Sequence, residues 1–211
     1  MIQGMIGKKV EMTQIFTDDG RVIPVTTIRV GPCVIVQKGN KTDKAPLRIQ
    51  MGLVDEKPFK HVNKPMKGHF DKAKVPPTRI LKEFFVDADE INVGDMVKVD
   101  IFKESEIVNV VGTTKGKGFQ GVVRRWGYAG GRATHGSMFH RQPGSIGSNT
   151  YPGRVLKGKG MPGRMGGNTK TIKGLEVVKV DVEKNLMMVK GAVPGFKGNY
   201  VFILKDSFKR R

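Results

Sequence analysis

The sequence predicts a mainly β protein, a closed or nearly closed antiparallel barrel interrupted by one long irregular basic segment. Three observations lead there. Short runs rich in β-branched residues recur at both ends of the chain, with turn residues between them. Helical periodicity is scarce outside one short stretch. Finally, the 69 residues from Ile107 to Leu175 contain no Asp or Glu, although the chain carries 19.

The strand-like runs come in three sets. The first is Arg21–Val30, Cys33–Lys38 and Pro46–Met51, with Asp18-Asp19-Gly20 and Lys38-Gly39-Asn40 as turns. The second is Arg79–Val86, Met96–Phe102 and Glu106–Val111, and the third is Leu175–Val182, Leu186–Lys190 and Tyr200–Leu204. Many short strands with little helix between them favour a barrel. One short helix is expected between Phe59 and Ala73, with Asn63 as its cap and Pro65 near its first turn. This reading divides the chain into a β body, residues 1–111 and 174–211, and an extended basic Gly-rich arm, residues 112–173. The body includes an inserted helix-containing segment at 56–90.

Charge narrows the partners. The 38 Lys and Arg against 19 acids leave +19, and the sequence pI is near 10.1. Self-repulsion on that scale suits a chain whose partner is a polyanion. The acid-free segment holds 12 of the basic residues and 17 of the 28 glycines, so +12 of the +19 lies there. Apart from Phe119–Trp126 it lacks the apolar periodicity to bury a face. Taken alone it should be irregular, and ordering it requires an external partner. The 38% hydrophobic share is low for a core of this chain's size.

The single cysteine, Cys33, rules out an internal disulfide and a thiolate metal cluster within one chain. Its setting, Gly31-Pro32-Cys33-Val34-Ile35-Val36, reads as a buried strand in which the thiol packs as a small hydrophobe. Met1–Val10 is broken by glycines and lysines, unlike a signal peptide, and no apolar run is long enough to span a bilayer. A soluble cytoplasmic protein is expected.

Several motifs resemble catalytic signatures and fail on chemistry. Gly116-Lys-Gly118-Phe-Gln-Gly121 fits the dinucleotide glycine pattern and should open a short helix. No acid follows before Glu176 to hold a ribose, and no kinase-type catalytic or metal-binding aspartate is present. Gly153-x-x-x-x-Gly158-Lys159 is followed by Gly160, where a phosphate loop needs Ser or Thr for magnesium. Glycines and lysines could still approach RNA phosphate there. His135 and His140 have no nearby Cys, Asp or Glu to complete a zinc site or to orient an imidazole beside Ser137 or Ser145. Neither a cofactor, a metal nor a small-molecule substrate is expected, nor any enzymatic activity. Met138, Met161 and Met165 read as gap fillers. Trp126 has two readings of equal weight: a stacking platform for bases, or the cover of a small apolar face with Phe119, Val122 and Val123.

Phrases spread over nearly the whole chain resemble bacterial members of the universal ribosomal large-subunit protein three family. They include Gly7-Lys-Lys-Val-Glu-Met-Thr-Gln-Ile-Phe16, in which Glu11 stands where a glycine is usual, and Lys64-Pro-Met-Lys-Gly-His-Phe70. More specific are Thr114-Lys-Gly-Lys-Gly-Phe-Gln-Gly121, Arg125-Trp126, Thr134-His-Gly136, His140-Arg141 and Pro143-Gly-Ser-Ile-Gly147. Lys157-Gly-Lys-Gly-Met-Pro-Gly-Arg-Met-Gly-Gly167, Leu175-Glu-Val-Val178 and Val189-Lys-Gly-Ala-Val-Pro-Gly195 complete the set.

The resemblance implies a six-stranded translation-protein-type barrel with a small α/β insertion and a long RNA-penetrating arm. It implies binding to large-subunit ribosomal RNA near the 3′ end, support of early assembly beside neighbouring large-subunit proteins, and an arm reaching toward the peptidyl transferase centre. Some bacterial members carry a methylated glutamine just after the Pro-Gly-Ser-Ile-Gly phrase. Thr150 stands at that position here, so the modification should be absent.

Residue chemistry agrees with an RNA partner. Lys115, Lys117, Arg124, Arg125, Arg132, Arg141, Arg154, Lys157, Lys159 and Arg164 can meet phosphates from several directions. Trp126, Phe139 and Tyr151 offer rings for stacking, and His135 and His140 offer hydrogen bonds to phosphate, ribose or backbone. The tip of the arm is expected at Gly144, Ser145, Ile146, Gly147, Ser148, Asn149, Thr150 and Tyr151. It carries no charge and suits close backbone approach. A module for free RNA or DNA is the main alternative, and recovery from washed ribosomal subunits discriminates against it. Phosphoryl transfer through the glycine loops is a distant third, which nucleotide turnover would revive.

Overall fold

The computed structural model describes residues 2–17, 19–39, 47–55, 59, 61–87 and 91–206. Expectations touching Met1, Asp18, Asn40, Pro46, Lys60, and residues 56–58, 88–90 and 207–211, lie outside the described residues. The chain divides into two compact units, Met1–Thr113 with Thr169–Arg211, and Thr114–Asn168.

The first half of the chain forms β1 (Gly4–Phe16), β2 (Val22–Val30), β3 (Cys33–Lys38), β4 (Leu47–Leu53), α1 (Lys64–Ala73), β5 (Leu81–Val86), β6 (Met96–Val97) and β7 (Ile107–Thr113). The second unit contributes β8 (Phe119–Gln120), α2 (Val122–Trp126) and β9 (Gly163–Arg164). The chain then ends with β10 (Thr169–Asp181), β11 (Leu186–Lys190) and β12 (Tyr200–Lys205).

The fold is mainly β, as the sequence predicts. In the larger unit six strands pair in the order β1-β12-β7-β10-β11-β2, and β2 returns to β1, closing an antiparallel ring. Closure removes the edges that an open sheet would leave along most of these strands. A second antiparallel sheet runs β5-β4-β3-β6.

The core explains the continuous apolar run at Cys33. Cys33 and Ile35 point into one cluster with Met5, Ile28, Val110 and Ile203, while Val34 and Val36 pack with Phe70 of α1 in another. A strand covered on both faces cannot alternate apolar with polar residues. Cys33 is fully buried, its Sγ lies 3.5 Å from the Ile6 carbonyl, and burial pushes the thiol up to about 12. The packing role expected of it is what the fold gives it.

Three local expectations change. The β-branched runs mark no strand before Arg21, yet β1 runs for 13 residues. Its glycines permit close strand contact: a Cβ on Gly4 would collide with the Ile203 carbonyl. Met96–Phe102 is not one strand, because Val99–Ile101 makes a 3-10 turn that buries Val99 and Phe102, three residues apart on one side. β10 starts at Thr169 rather than Leu175, since its ladder with β7 continues to the Thr113–Thr169 pair. Asn63 does occupy the cap position of α1, with Pro65 in the first turn, but its side chain makes no capping bond.

Candidate nucleic-acid interface

The unit Thr114–Asn168 is built on main-chain hydrogen bonds, because its sequence offers few apolar side chains. Thr114 N–H donates to the Asn168 carbonyl at 2.9 Å, and Gly167 N–H to the Thr114 carbonyl at 3.2 Å. Lys117 N–H and the Met165 carbonyl (2.8 Å), then Met165 N–H and the Gly118 carbonyl (2.9 Å), lead into the β8–β9 pair. Gly166 sits at φ +72°, and a Cβ there would strike the Lys115 backbone, so the close approach of the two segments needs glycine.

The glycine motif does open a short helix: Gly121 precedes α2, and Gly127 at φ 74° ends it, its N–H bonded to Val123 O at 3.0 Å. The Met161 carbonyl then pins this helix. It accepts from Arg125 Nη1 at 2.7 Å and from Trp126 Nε1 at 2.9 Å, and the guanidinium lies 5.1 Å from the indole centroid. Buried Gly160 leaves room for the rings, since a Cβ there would stand 3.0 Å from Trp126 Cγ and 2.8 Å from the Tyr128 hydroxyl.

Of the two readings of Trp126, the structure favours neither alone. Its N–H is satisfied within the unit, yet the side chain is 53% exposed and leaves ring surface open. Val122, at the start of the same helix, is buried, but Phe119 is 76% exposed and covers little. Sequence reasoning missed Tyr128, which donates to the Gly160 carbonyl at 3.4 Å and has Lys159 over its ring at 5.9 Å. Met161 and Met165 are half-buried, as gap fillers should be, whereas Met138 is 91% exposed and fills no gap within the unit.

The cations named from the sequence divide cleanly. Lys115, Lys117, Arg124, Arg132, Arg141, Arg154, Lys157, Lys159 and Arg164 are exposed, as are His135 and His140. Arg125 alone is half-buried, its guanidinium engaged by Met161 and Trp126. Across these 55 residues only Val122 and Gly160 are buried. The segment holds ten Lys and Arg and no acid, so nothing inside it can neutralise them. The ion pairs among the described residues, such as Lys8–Asp55 and Lys205–Glu106, all belong to the larger unit.

Gly144, Ser145, Ile146, Gly147, Ser148, Asn149, Thr150 and Tyr151 are all exposed, Tyr151 at 90%. Their polar groups bond locally: Ser145 Oγ donates to the Gly147 carbonyl at 2.7 Å, and Thr150 Oγ1 lies 3.4 Å from Asn149 Oδ1. Phe139 supports the stretch from one side, since a Cβ on Gly144 would meet its Cζ at 3.3 Å. His135 and His140 both take positive φ, at 59° and 42°, which fixes the local turns.

No group of three His, Cys, Asp or Glu among the described residues could hold a metal. Among the same residues no helix is long and apolar enough to cross a membrane. What the inserted unit offers chemically is a set of solvent-facing cations on a glycine-rich frame, with partly exposed rings among them. Such a surface has the chemistry that phosphate contacts and base stacking require.

Comparison with known proteins identifies the family. The family model described as ribosomal protein L3 matches residues 79–185, which include the whole inserted unit. The large ribosomal subunit protein uL3 of Geobacter sulfurreducens is 47% identical over 212 residues, covering 100% of both chains. Proteins of the same name from Carboxydothermus hydrogenoformans and Pelobacter propionicus are 50% and 48% identical over 210 residues. They cover 99% of this chain and 99% and 100% of their own. Similarity of this extent, from one end of the chain to the other, places it in the ribosomal protein L3 family, as a non-enzymatic structural protein of the large ribosomal subunit.

Proposed function

We propose that Thr114–Asn168 is the segment through which this chain grips large-subunit ribosomal RNA, and that it reaches toward the peptidyl transferase centre. In this reading Lys115, Lys117, Arg124, Arg132, Arg141, Arg154, Lys157, Lys159 and Arg164 meet phosphates, with His135 and His140 hydrogen-bonding beside them. Arg125 and Trp126 present a stacked pair whose open ring face takes an unpaired base. Gly144–Tyr151 fit folded RNA by shape. The six-stranded ring is then a translation-protein-type barrel that binds RNA near its 3′ end early in assembly, beside neighbouring large-subunit proteins. The ribosome of the cytoplasm is its place of work.

One observation carries the reading: ten cations and no acid on 55 residues of which only two are buried. A segment so poor in self-burial and so charged is stabilised by a polyanion that supplies both the counter-charge and the packing surface.

The test is salt-dependent binding of the full-length chain to a large-subunit ribosomal RNA fragment. Replacing Arg154, Lys157 and Lys159 by Ala should reduce the slope of log affinity against log salt by about 0.7–0.9 for each phosphate no longer neutralised. An unchanged slope would assign the electrostatic binding to the other unit. Gly147→Trp tests the tip, because a Cβ at Gly147 has only the Arg154 carbonyl within 4.0 Å and the larger side chain fits the free protein. Subunits carrying it should assemble yet form peptide bonds slowly. Normal rates would place the tip away from the catalytic RNA.

A further inference from the structure

Among the described residues, the outer edge of β1 has no strand partner over part of its length. The ladder with β12 covers Gly4–Lys8 only, and the last bonds beyond it join Lys9 to Asn199 and Gly198. From Glu11 to Phe16, β1 pairs with β2 alone. Which backbone groups face outward follows from Pro24, which lies opposite Gln14. Proline has no N–H, so this pair cannot exchange hydrogen bonds, and the Pro24 carbonyl instead accepts from Gly191 on its far side at 2.8 Å. At the end of the hairpin Thr17 N–H bonds the Arg21 carbonyl at 3.0 Å, which fixes the same alternation. The N–H and C=O groups of Met12, Gln14 and Phe16 therefore point away from β2. Among the described residues no strand meets them.

The side chains around this edge differ from those of the RNA-facing unit. Met12, Phe16 and Val22 are 53%, 65% and 51% exposed, and Phe16 and Val22 are directly opposite each other across the two strands. By the two-residue period of a strand, Met12, Gln14 and Phe16 share one face with Val22 and Pro24. Between Val10 and Gly20 the sequence carries Glu11, Asp18 and Asp19 and no Lys or Arg, a net −3 in a chain of +19. Lys197 lies 3.7 Å from Glu11, in an exposed pair that water screens. Acidic charge repels phosphate, whereas an open strand edge beside an apolar row suits an extended peptide, and the negative charge selects a basic one.

We propose that the Met12–Phe16 edge of β1 docks an extended, basic segment of a neighbouring large-subunit protein, added as a further strand. The proposal rests on the reading that this chain sits in the subunit beside such neighbours.

Cys33 is the only native cysteine and is buried, so Gln14→Cys introduces a single accessible thiol that can carry a benzophenone crosslinker. Phe16→Cys serves as a second attachment point, and Ser148→Cys, within the proposed RNA-facing tip, as a control. Each full-length protein is assembled into large subunits, irradiated, and its crosslinks are mapped. We expect positions 14 and 16 to reach a ribosomal protein, in a segment with more Lys and Arg than Asp and Glu, while position 148 reaches RNA. Adding Gln14→Pro to Phe16→Cys should abolish the protein crosslink. It removes an outward N–H and no hydrogen bond of the hairpin. RNA crosslinks, an acidic protein segment, or no crosslink at 14 and 16 would each overturn the docking site while a position-148 RNA crosslink leaves the proposed function standing. Failure of every labelled protein to enter subunits would overturn both.

Discussion

Gly166 is where the inserted unit should be most sensitive to a single methyl group. At φ +72° an alanine is strained, and its Cβ would meet the carbonyl of Lys115 with no flexible side chain to yield. Gly158 provides the comparison within the same unit: it has φ +85° but open space around the position of a Cβ. Both Gly→Ala changes carry the left-handed cost of about 1–2 kcal/mol. Only Gly166→Ala must also separate the two segments, at the expense of the Lys117–Met165 and Gly167–Thr114 bonds that flank it. At about 0.5–1.5 kcal/mol each, those bonds add about 1–3 kcal/mol. That corresponds to a roughly 5- to 150-fold change in the local opening equilibrium. Hydrogen exchange of the Lys117, Met165 and Gly167 amides in the full-length chain reads this directly. Protection there should fall in Gly166→Ala and stay near the parent value in Gly158→Ala. Equal behaviour of the two variants would refute the argument that the backbone contact, rather than the φ value, makes position 166 a glycine.

Two further expectations concern the larger unit. Lys205 is 6% exposed, with its ammonium 3.0 Å from Glu106 Oε1 and 5.5 Å from the Phe102 ring centroid. Glu106→Ala should lower stability to urea by about 3 kcal/mol by leaving a buried cation unpaired, while Glu106→Leu with Lys205→Met should cost much less. Equal losses would show that the pair is not desolvated. Burial raises the Cys33 thiol from 9.0 to about 12, so the native chain holds its proton through pH 9, where the unfolded chain is half ionised. Alkylation at pH 9 should be slow in the native protein and fast in denaturant, and stability contributed by this group should fall as pH rises from about 9 toward 12. Rapid native alkylation would contradict the buried setting.

The β character was legible because apolar β-branched runs and turn residues signal strands locally, and the charge of the inserted unit was legible because an acid-free stretch is visible by inspection. β1 was harder to see. Its pairing depends on what Gly4 and Gly7 lack, and the neighbour they admit, β12, lies near the other end of the chain. The 3-10 turn at Val99–Ile101 keeps the apolar residues that a strand would also carry, so composition could not separate the two. Within the inserted unit, exposure of the cations followed from the shortage of partners. The half-burial of Arg125 did not, because the group that holds it is a main-chain carbonyl at Met161, and every residue has one. For the same reason the lines along which Lys117 meets Met165 and Thr114 meets Asn168 carry no signature in the side chains.

The way the chain enters and leaves Thr114–Asn168 bears on how such a protein can change over time. Thr113 and Thr169 are ladder partners, and Thr114 and Asn168 hydrogen-bond immediately after them, so the insertion begins and ends at adjacent points. Once that gate is closed, the entropy of closing the intervening chain depends only on the logarithm of its length, about 0.6 kcal/mol for each doubling. Residues can therefore be inserted, deleted or exchanged beyond the gate with little consequence for the ring strands. The length of the segment can thus change at small entropic cost to the scaffold that carries it.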